Sequence, residues 1–422
     1  MLKQTNYNVH TLPSGLRLLH IPFPDAASVF IKIAGLVGDR AELADEKGVA
    51  HFFEHLCFDG TPSMPTSEQV VKTISQIGAK YNGTTSDELV YYWTRALALN
   101  AEKATTWLGD MFSNSLYREE DINKEKKVIE EELLALMDRP HAVFAELFNS
   151  KLFPNHPKGF TSKEIKDFLP QINREKILEY KERMYVTGNF ILIIAGAITF
   201  EDAKVLASKH FPSLKEGPRA DFTHVPKVET VNFMHERKES EQAQLYLVYP
   251  GFKGYTRESR ISAAMANIIG GGLSSRLLLT LRDKLHLVYT ASASHEAGRD
   301  FGEFVMGVKL REEKLSEVKQ AMMDVILKFI KEGPTDEERE KAVNQAETSL
   351  AFMAEDVADH ANFAGYQLLV NDKIKSPLDL MNELNSISRD EIQEMAQKIF
   401  SSKPHVGLMS KSVSEFDFPA IT

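Results

Sequence analysis

The chain reads as an α+β protein made of two similar halves, and three observations predict this. At 422 residues it is too long for one ordinary core, so two domains are expected. Runs rich in β-branched residues alternate with helical periodicity along the whole length. Short matches also recur. Asn173-Arg-Glu-Lys-Ile177 resembles Ser388-Arg-Asp-Glu-Ile392, 215 residues later, and Ala79-Lys80-Tyr81 resembles Leu287-Val288-Tyr289, 208 residues later. Two nearly equal offsets suggest a duplicated α+β unit.

In chain order, Leu16–Ile21 and Ser28–Ala34 read as strands after the turn signal Pro13-Ser14-Gly15. A helix follows around His51 and stops at Gly60 and Pro62. Ser67–Ile77 is expected as helix and Leu89–Leu97 as strand. A long helix is expected over Ile122–Met137, broken by Asp138-Arg139-Pro140 and resumed over Ala142–Leu152. Asn173 opens another helix, Phe190–Ala195 is a buried strand, and Thr199–His210 is helical. Polar residues Glu216–Asp221 mark a break. The expected division is residues 1–216, a linker over 217–225, and a second domain over 226–422.

Beyond the break the order repeats. Gln244–Tyr249 and Glu303–Leu310 read as strands, and Ser259–Ile269 and Glu312–Ile330 as helices. Thr335-Asp-Glu-Glu338 and Ser388-Arg-Asp-Glu391 are capping boxes that open two more helices.

Composition narrows the class. Hydrophobic content of 43% and charged content of 26% are ordinary for a globular protein. A net charge of −10 argues against a nucleic-acid partner. One cysteine, Cys57, excludes an internal disulfide framework and is expected to be a buried, inert thiol. The N-terminus shows no apolar signal region, and the longest apolar run, Phe190–Ala197, is too short to span a bilayer. No membrane partner and a cytoplasmic location are the expectation.

His51-Phe52-Phe53-Glu54-His55 carries the chemistry. At about 100° per residue, His51 and His55 lie about 40° apart with Glu54 about 60° to the other side of His51. Val49, Phe52, Phe53 and Leu56 take the opposite face. One side of this helix can enter a core while the other offers ligands. Two imidazoles one turn apart can hold one zinc ion, and the carboxylate beside them suits a general base. A structural alternative is a helix whose histidines merely satisfy neighbours. A catalytic zinc takes a third protein ligand. Lys126-Lys-Val-Ile-Glu-Glu-Glu-Leu133 offers three adjacent glutamates, of which one can point correctly. Glu125 and Glu132, seven apart, share a helix face, which suits one ligand and one supporting carboxylate. Without the histidine motif, such a helix reads as a solvated face.

These segments resemble the pitrilysin/insulinase/mitochondrial-processing-peptidase family of inverted-motif zinc peptidases. The resemblance rests on Gly48-Val-Ala-His-Phe-Phe-Glu-His-Leu-Cys-Phe-Asp-Gly-Thr61, followed by Glu125 and Glu132. It implies two homologous domains, each a mainly antiparallel β-sheet covered by helices. It implies that His51, His55 and Glu132 bind Zn2+, with Glu54 as catalytic base and Glu125 supporting catalysis. Glu132 rather than Glu131 is favoured because the family's glutamate pair is seven apart. Gly78-Ala-Lys-Tyr-Asn-Gly-Thr-Thr-Ser86 resembles a substrate-binding segment that commonly has Ala after the Asn, making Asn82 and Gly83 substrate-contact candidates. Read alone, Asn-Gly is a turn signal.

Gly270-Gly-Gly-Leu-Ser-Ser-Arg-Leu277 and Arg282-Asp-Lys-Leu-His-Leu-Val-Tyr289 resemble the family's glycine-rich helix start and Arg/Tyr pair. Arg282 and Tyr289 would bind the substrate carbonyl region and stabilise the oxyanion. His286 stands where relatives often have glycine. The structural alternatives are a surface ion pair of Arg282 with Asp283 and a half-buried packing role for Tyr289. The implied activity is a zinc metalloendopeptidase acting on unfolded peptides or presequence-like segments inside an enclosed chamber. A homodimer with composite active sites is expected. The alternative is a non-catalytic peptide-binding or scaffolding subunit.

Overall fold

A computed structural model of the chain describes residues 4–211, 214–239, 242–412 and 415–421. They form two compact units. The first holds the described residues of 1–143, 155–224 and 350–379; the second holds those of 144–154, 225–349 and 380–422.

The first half of the chain supplies β1 (Asn8–Thr11), β2 (Arg17–Pro22), β3 (Ser28–Gly35), α1 (Val49–Leu56), α2 (Ser67–Ser75), β4 (Lys80–Thr85), β5 (Val90–Leu97), α3 (Ala101–Asn114), α4 (Glu119–Met137), α5 (Pro140–Leu152), α6 (Ser162–Phe168), α7 (Arg174–Met184), β6 (Phe190–Gly196) and α8 (Phe200–His210). The second supplies β7 (Asn232–Glu236), β8 (Ala243–Pro250), α9 (Arg257–Gly270), β9 (Val288–Ala297), β10 (Gly302–Leu310), α10 (Leu315–Glu332), α11 (Asp336–Glu355), α12 (Val357–Asn371), α13 (Pro377–Asn385), α14 (Arg389–Phe400) and β11 (His405–Ser410). No described helix is long and apolar enough to cross a membrane.

The first sheet runs β1-β2-β6-β3-β5-β4 and the second β7-β11-β8-β10-β9. Each is antiparallel except for one pair, β2 with β6 and β11 with β7. Matched element by element, the second sheet repeats the last five positions of the first. The spacing agrees: β3 starts at Ser28 and β8 at Ala243, 215 residues later; β6 starts at Phe190 and β11 at His405, again 215 later. The duplicated α+β architecture expected from the short matches is therefore present, as two mainly antiparallel sheets with helices.

A sheet in a globular core has two faces to cover. In the first unit, Val29, Ile31 and Ile33 of β3 point into a core shared with Phe52, Phe53, Leu108 and Tyr180. The alternate residues Phe30 and Ala34 point the other way, with Leu19, Ile21, Ile191 and Ile193, and pack against Val357, Ala361, Ala364 and Leu368 of α12. In the second unit, Phe148 and Leu152 of α5 cluster with Val248, and the Phe144 and Phe148 rings stack on Phe233 at 6.0 and 6.3 Å. Each unit thus contains a helical segment encoded in the other half.

Residues 217–223, expected as linker, pack within the first unit. Gly188 N–H donates to the Gly217 carbonyl at 3.0 Å, Ala220 N–H to Asn189 Oδ1 at 2.6 Å, and Arg40 Nη2 to the Thr223 carbonyl at 2.9 Å. The break between units falls at His224/Val225.

Lys32 sits among the apolar residues under α12, only 7% exposed. Its ammonium donates to Asn362 Oδ1 at 2.7 Å and lies 3.4 Å from the Tyr91 ring centroid. Burial pulls its pKa down to about 7. The unfolded chain then binds more protons than the folded one between about pH 7 and the ordinary lysine value near 10.5. Stability contributed through Lys32 therefore rises with pH across that window. Lys32→Met is expected to stabilise the protein at pH 7 by on the order of 1–3 kcal/mol and to flatten this rise. Urea unfolding at pH 7 and pH 9.5 measures both effects; a destabilised variant contradicts them.

Candidate active site

The helix α1 is short, so its position depends on its ends and its apolar face. Val49, Phe52, Phe53 and Leu56 are buried as their angular positions require. Phe53 lies 4.2 Å from the Tyr185 ring and 5.0 Å from Tyr117. Cys57 is buried, its thiol donating to Tyr92 Oη at 3.4 Å, and burial pushes its pKa up to about 11. It is a buried thiol, as expected.

The N-terminus of α1 is held by Glu42, which sequence reasoning had passed over. Glu42 Oε2 accepts the Gly48 N–H at 3.0 Å and Oε1 the Ala50 N–H at 2.8 Å. Two amides without intrahelical partners are thereby satisfied by one buried side chain. Burial and nearby Asp39 push the Glu42 pKa upward, against the pull of the two amide bonds. Gly48 has φ of 79°, and a Cβ there would meet Ile165 Cγ2 at 2.6 Å, so both conformation and space call for glycine.

The opposite face of α1 carries His51 and His55. Their Nε2 atoms are 3.2 Å apart. Glu132 of α4 brings Oε2 to 3.8 Å from His51 Nε2 and 3.7 Å from His55 Nε2. Donors bound tetrahedrally at about 2.1 Å to one zinc ion stand roughly 3.4 Å apart, so this set has the right atoms at the right spacing. Among the described residues, it is the one His/Cys/Asp/Glu group able to hold a metal. Its neighbour Glu130 turns toward Lys166 instead, at 3.7 Å.

Glu125, one heptad before Glu132, accepts from His55 Nδ1 at 3.0 Å. A carboxylate has no proton to give, so Nδ1 carries the hydrogen, and Nε2 faces Glu132 and His51. Burial works against the Glu125 anion, but His55 and Lys124 outweigh it and hold its pKa low. Burial also opposes the His55 imidazolium, and Glu125 with Glu132 outweighs it upward. Burial and His55 bring His51 down to about 4, leaving it neutral. Lys124 Nζ bridges Glu125 Oε1 at 3.1 Å and Asp59 Oδ1 at 2.8 Å. The buried Asp59 carboxyl is pushed up to about 6.

Glu54 lies beside this group on α1. Its Oε2 accepts from Thr85 Oγ1 of β4 at 2.6 Å, and burial raises its pKa. A raised carboxylate next to a metal-capable cluster has the properties of a general base.

Asn82 and Gly83 lie within β4 itself rather than in a turn, because β4 pairs with β5 through Asn82↔Trp93 and Gly83↔Tyr92. As the last strand of its sheet, β4 has one edge unpaired among the described residues. Asn82 is exposed and Gly83 is buried against Glu54. Arg282 and Tyr289 belong to the second unit. Arg282 ion-pairs with Asp283 at 2.8 Å. Tyr289 is 72% exposed, which excludes a packing role inside that unit's core. His286 has φ of 53°, the left-handed region that glycine adopts at no steric cost.

A family model described as insulinase (peptidase family M16) matches residues 18–162, and one described as peptidase M16 inactive domain matches residues 171–346. Uncharacterized zinc proteases of Rickettsia felis and Rickettsia bellii are 31% and 33% identical to this chain; each alignment covers 94% of this chain and 96% of the relative. The uncharacterized zinc protease YmxG of Bacillus subtilis is 26% identical over 96% of this chain and 98% of its own. Two solved structures share the fold, each with a TM-score of 0.86: a peptidase M16 inactive domain from Pseudomonas fluorescens (17% identity, 96% of this chain, 97% of that one) and a protease from Helicobacter pylori (19% identity, 96% and 99%).

The seating of α1 by Glu42 makes a prediction independent of any activity. Glu42→Gln keeps the shape but turns one acceptor oxygen into an NH2 that faces an amide N–H. It is expected to cost about 1–2 kcal/mol of stability in urea unfolding. A variant as stable as the parent contradicts this role.

Proposed function

Because this chain belongs to the insulinase family of peptidases, peptidase family M16, we propose that it is a zinc metalloendopeptidase. In this reading His51, His55 and Glu132 hold the zinc ion, Glu54 is the general base, and Glu125 fixes His55. The observation that carries it is the convergence of two imidazoles and a carboxylate from α1 and α4, with Glu125 behind His55 and Glu54 alongside. Zinc at such a site supplies Lewis acidity, polarising a carbonyl and bringing the pKa of water to about 7.

The rest of the mechanism is the work of the chain's own groups. Glu54 takes the proton of the attacking water and passes it to the departing amide nitrogen, one carboxylate serving as base and then acid. Glu125 holds the His55 tautomer. The unpaired edge of β4 receives substrate backbone as an added strand, with Asn82 at that edge; main-chain pairing tolerates varied sequence. The substrates proposed are unfolded peptides or presequence-like segments, admitted to an enclosed chamber. Arg282 and Tyr289 steady the substrate carbonyl region, delivered by a second copy of the chain in a homodimer.

Glu54→Gln is expected to keep zinc and lower kcat on a quenched fluorescent peptide by about 10²–10⁴-fold; zinc loss would mean that Glu54 is a ligand. Glu132→Gln is expected to lose zinc, read by metal analysis, while Glu131→Gln keeps it; the reverse pattern moves the ligand by one residue. A pure parent protein that takes up no zinc favours the non-catalytic, peptide-binding reading instead. Light scattering at assay concentration is expected to give twice the chain mass, and an active monomer would remove the composite-site part of the proposal.

A further inference from the structure

Alternation along β4 puts Gly83 and Thr85 on the same side of the strand, and both meet Glu54. Thr85 Oγ1 donates to Glu54 Oε2 at 2.6 Å. A Cβ on Gly83 would lie 2.7 Å from Glu54 Oε1 and 3.0 Å from Glu54 Cγ. The missing side chain is what lets the carboxylate sit this close to the strand. The terminal torsion of a glutamate is broad and nearly two-fold, so helix geometry alone does not distinguish its two oxygens. The Thr85 hydroxyl does: it occupies Oε2 and leaves Oε1 without that bond.

We propose that Thr85 is a positioning residue for Glu54, fixing which carboxylate oxygen is free to exchange a proton and tying the base to β4 as well as to α1. The catalytic meaning of this contact rests on the hydrolase reading above. The consequence is a coupling between strand and base. A peptide backbone added to the free edge of β4 takes its register from the same strand that aims Glu54. Base and scissile bond then share one frame, and a displacement of about 1 Å can cost on the order of 100-fold in rate.

The test uses the full chain in four forms: parent, Thr85→Val, Thr85→Ser and Glu54→Ala. Valine keeps the shape of threonine and removes the donor; serine keeps the donor. With zinc loaded, Thr85→Val is expected to lower kcat by about 10–100-fold with KM and zinc content unchanged, and Thr85→Ser to recover most of the loss. A parental kcat in Thr85→Val, a serine variant as impaired as the valine one, or loss of zinc would each overturn the inference. A second readout needs no activity. In metal-free protein, Thr85→Val is expected to lower the urea midpoint, and to leave it unchanged in the Glu54→Ala background. Equal shifts in both backgrounds also overturn the inference. A parent that cleaves no peptide, with the stability coupling intact, overturns the hydrolase reading and with it the catalytic meaning of the contact. An active parent whose Thr85→Val variant is indistinguishable overturns the inference alone.

Discussion

The site depends on one hydrogen bond between two helices, His55 Nδ1 to Glu125 Oε2 at 3.0 Å. It joins α1, which carries donors on one face, to α4, which carries carboxylates one heptad apart. Without it the region would be a crowd of like charges. After burial, the nearby Glu132 charge helps raise the Glu54 pKa, and the Glu125 charge that of Asp59. Two unit charges about 4 Å apart at an effective dielectric near 20 repel by about 4 kcal/mol, enough to matter in a protein of marginal stability. His55 Nδ1 donates to Glu125, and the Lys124 ammonium pairs with both Glu125 and Asp59. Glu132 Oε2 faces the two imidazole Nε2 atoms at 3.8 and 3.7 Å.

The duplication shows what it takes to have such a site. The spacing of 215 residues that relates β3 to β8 brings Ala266 and Gly270 of α9 to the positions of His51 and His55. A Cβ on Gly270 would fall 2.1 Å from the Ala293 backbone nitrogen in β9. In the second unit the helix therefore closes onto its sheet where the first unit keeps donors. The same topology serves packing in one half and carries the His51, His55 and Glu132 cluster in the other, in keeping with the inactive-domain description of the family that matches residues 171–346.

Legibility in the sequence followed the range of the interactions. His51, Glu54 and His55 lie within five residues, so helical geometry alone put them on one face and their apolar neighbours on the other. Most strands and helices were readable from periodicity, and the capping boxes at Thr335 and Ser388 formed as expected. Glu132 was different: spacing put Glu125 and Glu132 on one face, but its choice over Glu131 came from family resemblance. Glu42, Asp59, Lys124 and Thr85 were not anticipated, because each acts across a turn or between elements whose approach no local pattern encodes. Read alone, Asn82-Gly83 is a turn signal, the alternative to its reading as a substrate-contact segment; pairing with Trp93 and Tyr92 overrides that propensity. Which sheet α5 and α12 cover is set by packing between distant segments, which no local pattern encodes.

Anomalous diffraction at the zinc absorption edge, from crystals of the zinc-loaded chain, tests the central claim most directly. The account predicts one strong peak bonded to His51 Nε2, His55 Nε2 and a Glu132 oxygen, with Glu125 still on His55 Nδ1. A peak elsewhere, or none with the carboxylate of Glu132 turned away from both imidazoles, would contradict it.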